Sequence, residues 1–263
     1  MSDIARSVLD ADDPFAGGDV VPMRLGDAVI QRITQAIHEG RLKPGDFLPS
    51  EARIAASFGV SKPIAREAIR QLAAMGVVHI QQGKPTRVQA LDAAPLDRFY
   101  RFAVRGRPNG LTEAVELRRI LEPPIAAHSA ERRTDEDIEK LDLILARMED
   151  ALGHVPLWIE ADLDFHEAVA ASSGNRLLDF QLRGLRPVIR EVMEIFNSRE
   201  ARGPEDWQRT FKRHVLVVDA IRAGDAAAAS AAMNKHFEAA EAAIAELASH
   251  REDHHESRGD TRP

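Results

Sequence analysis

Leu25, Val29, Ile33 and Ile37 recur every four residues in "RLGDAVIQRITQAIHEG", a spacing that predicts one apolar face of a helix closed by Gly40. After the turn "KPGDFLPSE", Ser50 is an N-cap for a short helix reaching about Phe58, and Gly59 turns the chain. Ser61 caps the next helix. It carries Pro63 in its first turn and Ile64, Ala65, Ala68, Ile69, Leu72 and Ala73 on its apolar side, and it ends at Gly76. The β-branched stretches "VVHIQ" and "TRVQ" flank "QGKP" and predict two short strands. Helix, helix, turn, helix, hairpin is the order of a winged helix-turn-helix, here over residues 22–90.

The pattern then becomes helical throughout, so the fold class is mainly α. Residues 91–110 read as a linker with an apolar middle able to pack. From 111 to 249 the chain reads as an all-α helical bundle. Thr112, Thr134, Pro156 and Pro204 open helices, another runs from about 176 to 197, and Gly224 separates the last two. Pro123 and Pro124 fall inside the first of these helices, where they are expected to kink or split it. The polar ends, 1–21 and 250–263, read as disordered tails.

Composition narrows the function classes. No run of 18 apolar residues exists, and the acidic start "MSDIARSVLDADDPFAGGDV" lacks the apolar core of a signal peptide, so a cytoplasmic protein without a membrane partner is expected. Cysteine is absent, which removes disulfides, thiolate metal sites and cysteine nucleophiles. The net charge of −7 argues against a polyanion partner until it is divided along the chain. Residues 22–90 hold ten Lys/Arg and five Asp/Glu, or +5, which leaves −12 on the remainder. A basic module on an acidic body points to nucleic acid at one end only.

The basic module carries its own candidates. The second helix of a helix-turn-helix offers its N-terminal residues to base edges in the major groove, and here these are Ser61, Lys62 and Arg66. Lys62 and Arg66 share the face opposite the apolar one; arginine can bond guanine bidentately, whereas lysine offers mainly a charge. At the hairpin tip Gly83 lets the backbone approach DNA and Lys84 can meet a phosphate.

The bundle carries a second set. Asp162 and His166 are four residues apart on one helix face. His214 precedes Gly224 by ten residues and His236 follows it by twelve. If Gly224 turns an antiparallel helix pair, the two imidazoles sit about 15 Å and about 18 Å from the turn, at nearly one height. Three histidines and a carboxylate then form a site suited to a divalent transition metal, without deciding among Zn, Ni, Mn and Fe. Buried histidines satisfied by hydrogen bonds are the alternative. Arg118, in "VELRRILEP", is either a carboxylate clamp beside such a metal or an ordinary ion pair with Glu122, four residues on. Phe237, Ile244 and Leu247 form a stripe on an otherwise alanine-rich last helix, which suggests a homodimer.

"LPSEARIAASFGVSKPIAREAIRQLAAMGVVHIQQGKPTRV" resembles the DNA-binding domain of GntR-type bacterial transcriptional regulators. "ELRRILEPPIAAHSAERRT", "DLDFHEAVAASSGN" and "RHVLVVDAIRAGDAAAASAAMNKHF" resemble the all-helical FCD effector domain of the FadR subfamily. The resemblance implies that Lys62, Arg66, Gln82 and Gly83 touch DNA, that Asp162, His166, His214 and His236 are metal ligands, and that Arg118 lines a pocket for a small organic acid. It also implies a homodimer on near-palindromic operator DNA, usually as a repressor. Two positions depart from the family: Lys62 and Ala52 stand where it often has arginine. Arg53, next to Ala52 but about 100° further round the helix, completes the candidate DNA contacts.

Two other functions compete with a ligand-responsive regulator. One is a metal sensor whose effector is the ion itself. The other is a metal-dependent hydrolase, which lacks a well-placed general base, since Asp164 lies about 200° round the helix from Asp162. An enzyme is therefore not expected.

Overall fold

A computed structural model describes residues 25–107, 109–199 and 203–238. The chain divides into two compact units, residues 1–91 and 92–263.

In the first unit, α1 (Leu25–His38) buries Val29, Ile33 and Ala36. Ser50 caps α2 (Glu51–Phe58) by accepting the Arg53 N–H, and Gly59 ends that helix in the left-handed conformation. Ser61 caps α3 (Lys62–Ala74) by accepting the Ile64 N–H. β1 (Val78–His79) pairs antiparallel with β2 (Arg87–Val88), in a register that sets Val78 opposite Val88. Both valines are buried against Ile69, Leu72 and Leu48. The entry to α2 joins the hairpin: Phe47 bridges to Arg87, and the Leu48 N–H donates to the Thr86 carbonyl at 2.8 Å. The wing is thus held to the helices by apolar burial and main-chain bonds together.

The second unit begins earlier than the sequence suggests. Most of the stretch read as a linker is α4 (Ala94–Val104), which packs on α8 (Arg176–Arg199). A Cβ at Gly184 would stand 2.6 Å from the Leu96 Cβ, so a bare glycine is what allows the two helices this close. Tyr100 donates to Gln181 Oε1 at 2.6 Å across the same contact. α5 (Gly110–Arg132) passes through Pro123 and Pro124 without splitting. The lost backbone bonds are offset by a buried face that includes Glu122, Pro123, Ile125 and Ala126. α6 (Asp135–Asp150) opens with a capping box between Thr134 and Asp137. α7 (Val155–Ser172) packs against α5, α6 and α8, and is buried on nearly every side. α9 (Pro204–Ala223) ends at Gly224, whose φ of +74° turns the chain into α10, helical over residues 226–238.

Ile244 and Leu247 lie outside the described residues. Their expected companion Phe237 is 3% exposed and belongs to the bundle's own core, so it is not available for a dimer stripe. The predicted tails, 1–21 and 250–263, also lie outside the described residues. Among the described residues, no helix is long and apolar enough to cross a membrane.

Candidate functional site

The first candidate surface is the outer face of α3. Lys62, Arg66 and Arg70 are exposed there, while Ala65, Ala68, Ile69 and Leu72 are buried behind them. Gln82, Gly83 and Lys84 are exposed at the tip of the wing, where the Lys84 N–H donates to the Gln81 carbonyl at 3.1 Å. Ser61 and Arg53 are exposed as well. One neighbour was not expected. Arg66 Nε lies 3.1 and 3.0 Å from the two carboxylate oxygens of Glu51, and its Nη2 lies 2.9 Å from Oε2. The hydrogen bond from Arg66, and after it the charges of Arg66, Lys62 and Arg70, hold the Glu51 carboxyl below the usual carboxylate range. From sequence Glu51 reads only as an acid in a helix's first turn.

The second candidate lies at the core of the bundle. α7 presents Asp162 and His166, α9 presents His214 and α10 presents His236. All four are buried. The Gly224 turn does level the last two, whose rings are 4.5 Å apart. One ligand atom from each histidine falls within 4.8 Å of the others. His214 Nδ1 is 2.9 Å from the Thr210 carbonyl, which only accepts, so Nδ1 carries the proton and Nε2 presents a lone pair. That lone pair faces Asp162 Oδ1 at 3.0 Å. Two bare acceptors so placed repel each other unless a cation lies between them. Donors about 2.1 Å from one ion and at right angles are themselves about 3.0 Å apart. His166 Nε2 and His236 Nδ1 are buried and have no hydrogen-bond partner among the described residues. Each is a donor atom for which the protein provides no other use, so the four side chains fit a transition metal.

Protonation agrees with this. Burial lowers the pKa of His236 well below the ordinary histidine value, helped by His214 and His166. Burial also lowers that of His166, helped by Arg118 against the opposing pull of Glu122. The consistent state is a carboxylate among neutral imidazoles, which is the state a metal requires.

Glu122 is the residue that sequence reasoning missed as part of the site. Its carboxylate bonds Arg118 Nε through one oxygen and His166 Nδ1 through the other. The second bond places the His166 proton on Nδ1 and turns the Nε2 lone pair toward the cluster. The first answers the question left open for Arg118: it is ion-paired with Glu122 and is also turned inward, at 8% exposure. Arg118 Nη2 is buried without a partner among the described residues, and the guanidinium lies 5.4 Å from the centre of the Phe237 ring. Asp164 stands apart from the cluster and pairs with Arg147 and Arg186.

A winged helix-turn-helix followed by a helical bundle with a buried polar centre defines a two-domain, ligand-responsive DNA-binding regulator. Comparison with known proteins agrees. Residues 25–88 match the bacterial regulatory proteins of the gntR family, and residues 113–239 match the FCD domain. The chain is 32% identical to the HTH-type transcriptional regulator LutR of Bacillus subtilis, over 76% of this chain and 92% of that protein. It is 31% identical to an Escherichia coli K12 protein named for regulation of an L-lactate dehydrogenase operon, over 83% and 85% of the two chains. It is 29% identical to the HTH-type transcriptional repressor NanR of Enterobacter sp. 638, over 81% and 83%. A solved structure, Streptococcus agalactiae GntR, superposes with a TM-score of 0.65 at 27% identity, covering 82% of this chain and 98% of that one. The chain belongs to the GntR family of transcriptional regulators, in the FadR-type group that carries an FCD domain. Such proteins are regulators and not enzymes.

Proposed function

We propose that this regulator is a cytoplasmic, dimeric repressor released from a near-palindromic operator by a small organic acid, and that the acid binds at a metal held by Asp162, His166, His214 and His236. The observation that carries this reading is the buried cluster of His166, His214 and His236, each with a ligand atom within 4.8 Å of the others and His214 beside the Asp162 carboxylate, in which His166 Nε2 and His236 Nδ1 have no hydrogen-bond partner among the described residues. Four protein ligands leave positions in an octahedral shell for water or a carboxylate. The unpartnered Nη2 of Arg118 supplies a second grip for an anion, with Glu122 holding the guanidinium in place. The relative named for an L-lactate dehydrogenase operon points to genes that handle a small hydroxy acid, and the relative named as a repressor supports that sign of control. In this reading Ser61, Lys62, Arg66 and Arg53 meet DNA from the helices, and Gln82, Gly83 and Lys84 meet it from the wing.

Elemental analysis of untagged protein is the direct test, followed by operator binding titrated with chelator and with a panel of organic acids. One equivalent of metal per chain, with DNA release by an acid only when metal is present, is the expected result. Protein that stays empty on incubation with Zn, Ni and Mn, with unchanged melting, would leave the histidines as core residues. Release by metal alone would make the ion the effector. Metal should also dissociate as pH falls below the ordinary histidine range, because protons then compete for imidazoles whose pKa values burial has lowered.

A further inference from the structure

A half-buried carboxylate on a surface that approaches a polyanion is electrostatically unfavourable unless it does something there. Glu51 is such a carboxylate. It sits in the first turn of α2 and grips Arg66 from the side: Nε and one N–H of Nη2 are used, at 2.9 to 3.1 Å. A guanidinium has five N–H bonds. The three that this grip leaves are the two on Nη1 and the outer one on Nη2. The outer N–H of Nη2 and the parallel one on Nη1 form the end-on edge of the fork, which can bond O6 and N7 of guanine. The Arg66 side chain remains 47% exposed.

We propose that Glu51 is a positioning residue for base recognition, holding Arg66 side-on so that the end of its guanidinium is presented to a guanine. This rests on the reading of Arg66 as a base-contacting side chain. The long arginine side chain otherwise loses its rotamer freedom at the moment DNA binds. Fixing it beforehand also ties its charge to one place, so that it cannot wander to a neighbouring phosphate. The result is selectivity for a base rather than general affinity. Arg66 in turn holds the Glu51 carboxyl below the usual carboxylate range.

The test is selection of binding sites from a randomised duplex library by the full chain. Wild type, Arg66→Ala, Glu51→Ala and the double variant are compared, with non-specific binding and melting as controls. Arg66→Ala should erase the preference for one guanine per half-site. Glu51→Ala should weaken discrimination at that same guanine by roughly tenfold and leave every other position intact. Affinity for non-specific duplex should be unchanged or higher, because a negative charge is gone. The double variant should discriminate no worse than Arg66→Ala, as expected for two residues acting through one contact. Full guanine preference in Glu51→Ala overturns the proposal, as does loss at a different base or an additive double variant; either of the last two would mean that Glu51 reads DNA itself. If Arg66→Ala keeps the complete site, the reading of Arg66 fails and the inference goes with it. Glu51→Gln preserves size and helix start, so a shift of the guanine preference there decides the matter should the alanine variant melt early.

Discussion

Each unit of the molecule contains an arginine gripped by a glutamate, and the two pairs sit in opposite surroundings. Arg66–Glu51 lies on the surface of the helix-turn-helix, with side-chain exposures of 47% and 33%. Arg118–Glu122 lies inside the bundle, at 9% and 1%. On the surface, water competes for both charges and such a pair adds little to stability, so it is free to be tuned for what it presents outward. In the bundle, each charge has given up its hydration, and neither partner can be removed without stranding the other. The same two residue types therefore sit in different roles: on the proposal above the first aims a side chain, and the second ties an inward-turned guanidinium to a histidine of the polar centre.

That contrast can be broken in order of expected effect. Glu122→Ala should cost about 3–5 kcal/mol of unfolding free energy, because it leaves the Arg118 charge buried and unpaired. Glu51→Ala should leave the urea midpoint where it is, and equal midpoints for the two variants would dissolve the distinction. Next, metal at about a hundred times its dissociation constant should stabilise wild type by about 2.7 kcal/mol and leave His214→Ala unmoved, read as a thermal shift with and without chelator. Arg66→Ala should weaken specific DNA binding roughly ten- to a hundredfold. Lys84→Ala should weaken specific and non-specific DNA alike and reduce the salt slope by about 1. Gel-shift titrations at two salt concentrations separate those behaviours.

The smallest effect concerns an intermediate case. Glu160 bonds Arg190 and lies 2.8 Å from Arg186, which also reaches Asp164 and Glu167. The Arg190 hydrogen bond, working against partial burial and with help from Arg186, lowers the Glu160 pKa to about 2. A carboxylate whose folded pKa lies below its unfolded one contributes stability above the unfolded value and loses it as pH falls through the folded one. Its contribution should thus be complete above about pH 4.5 and gone near pH 2. The side chain is 41% exposed, so solvent screening keeps the cost of Glu160→Gln at neutral pH within about 1 kcal/mol. Urea titrations at pH 7 and pH 3 should show the difference between variant and wild type shrinking at the lower pH.

How much of this was legible in the sequence follows from where each signal resides. Ser50, Gly59 and Ser61 are local punctuation, so the helices of the DNA module could be placed within a residue or two. The meeting of the buried histidines was legible for the same reason, since Asp162 and His166 share one helix and Gly224 sets the register of His214 and His236. α4 was not, because its pattern is interrupted by Pro95, Arg98 and Arg101, and its packing depends on Gly184, some eighty residues away. Glu122 escaped notice because its second partner, His166, comes from another helix and no spacing rule connects them. Glu51 escaped because fifteen residues and a turn separate it from Arg66. The proline pair misled in the opposite direction: local rules forecast a break, and the buried face of α5 overrides them.

Gly224 holds its left-handed turn beside Arg133, whose guanidinium donates to the Arg222 carbonyl at 3.0 Å and would lie 3.0 Å from any Cβ placed there. His214 and His236 meet because of this turn, although neither touches it. A slip of one residue between α9 and α10 would carry His236 about 1.5 Å along its helix and swing it about 100° away from the others. The chemistry at the centre of the bundle is therefore timed from its rim, by a residue with no side chain, in the way an escapement governs a hand it never meets.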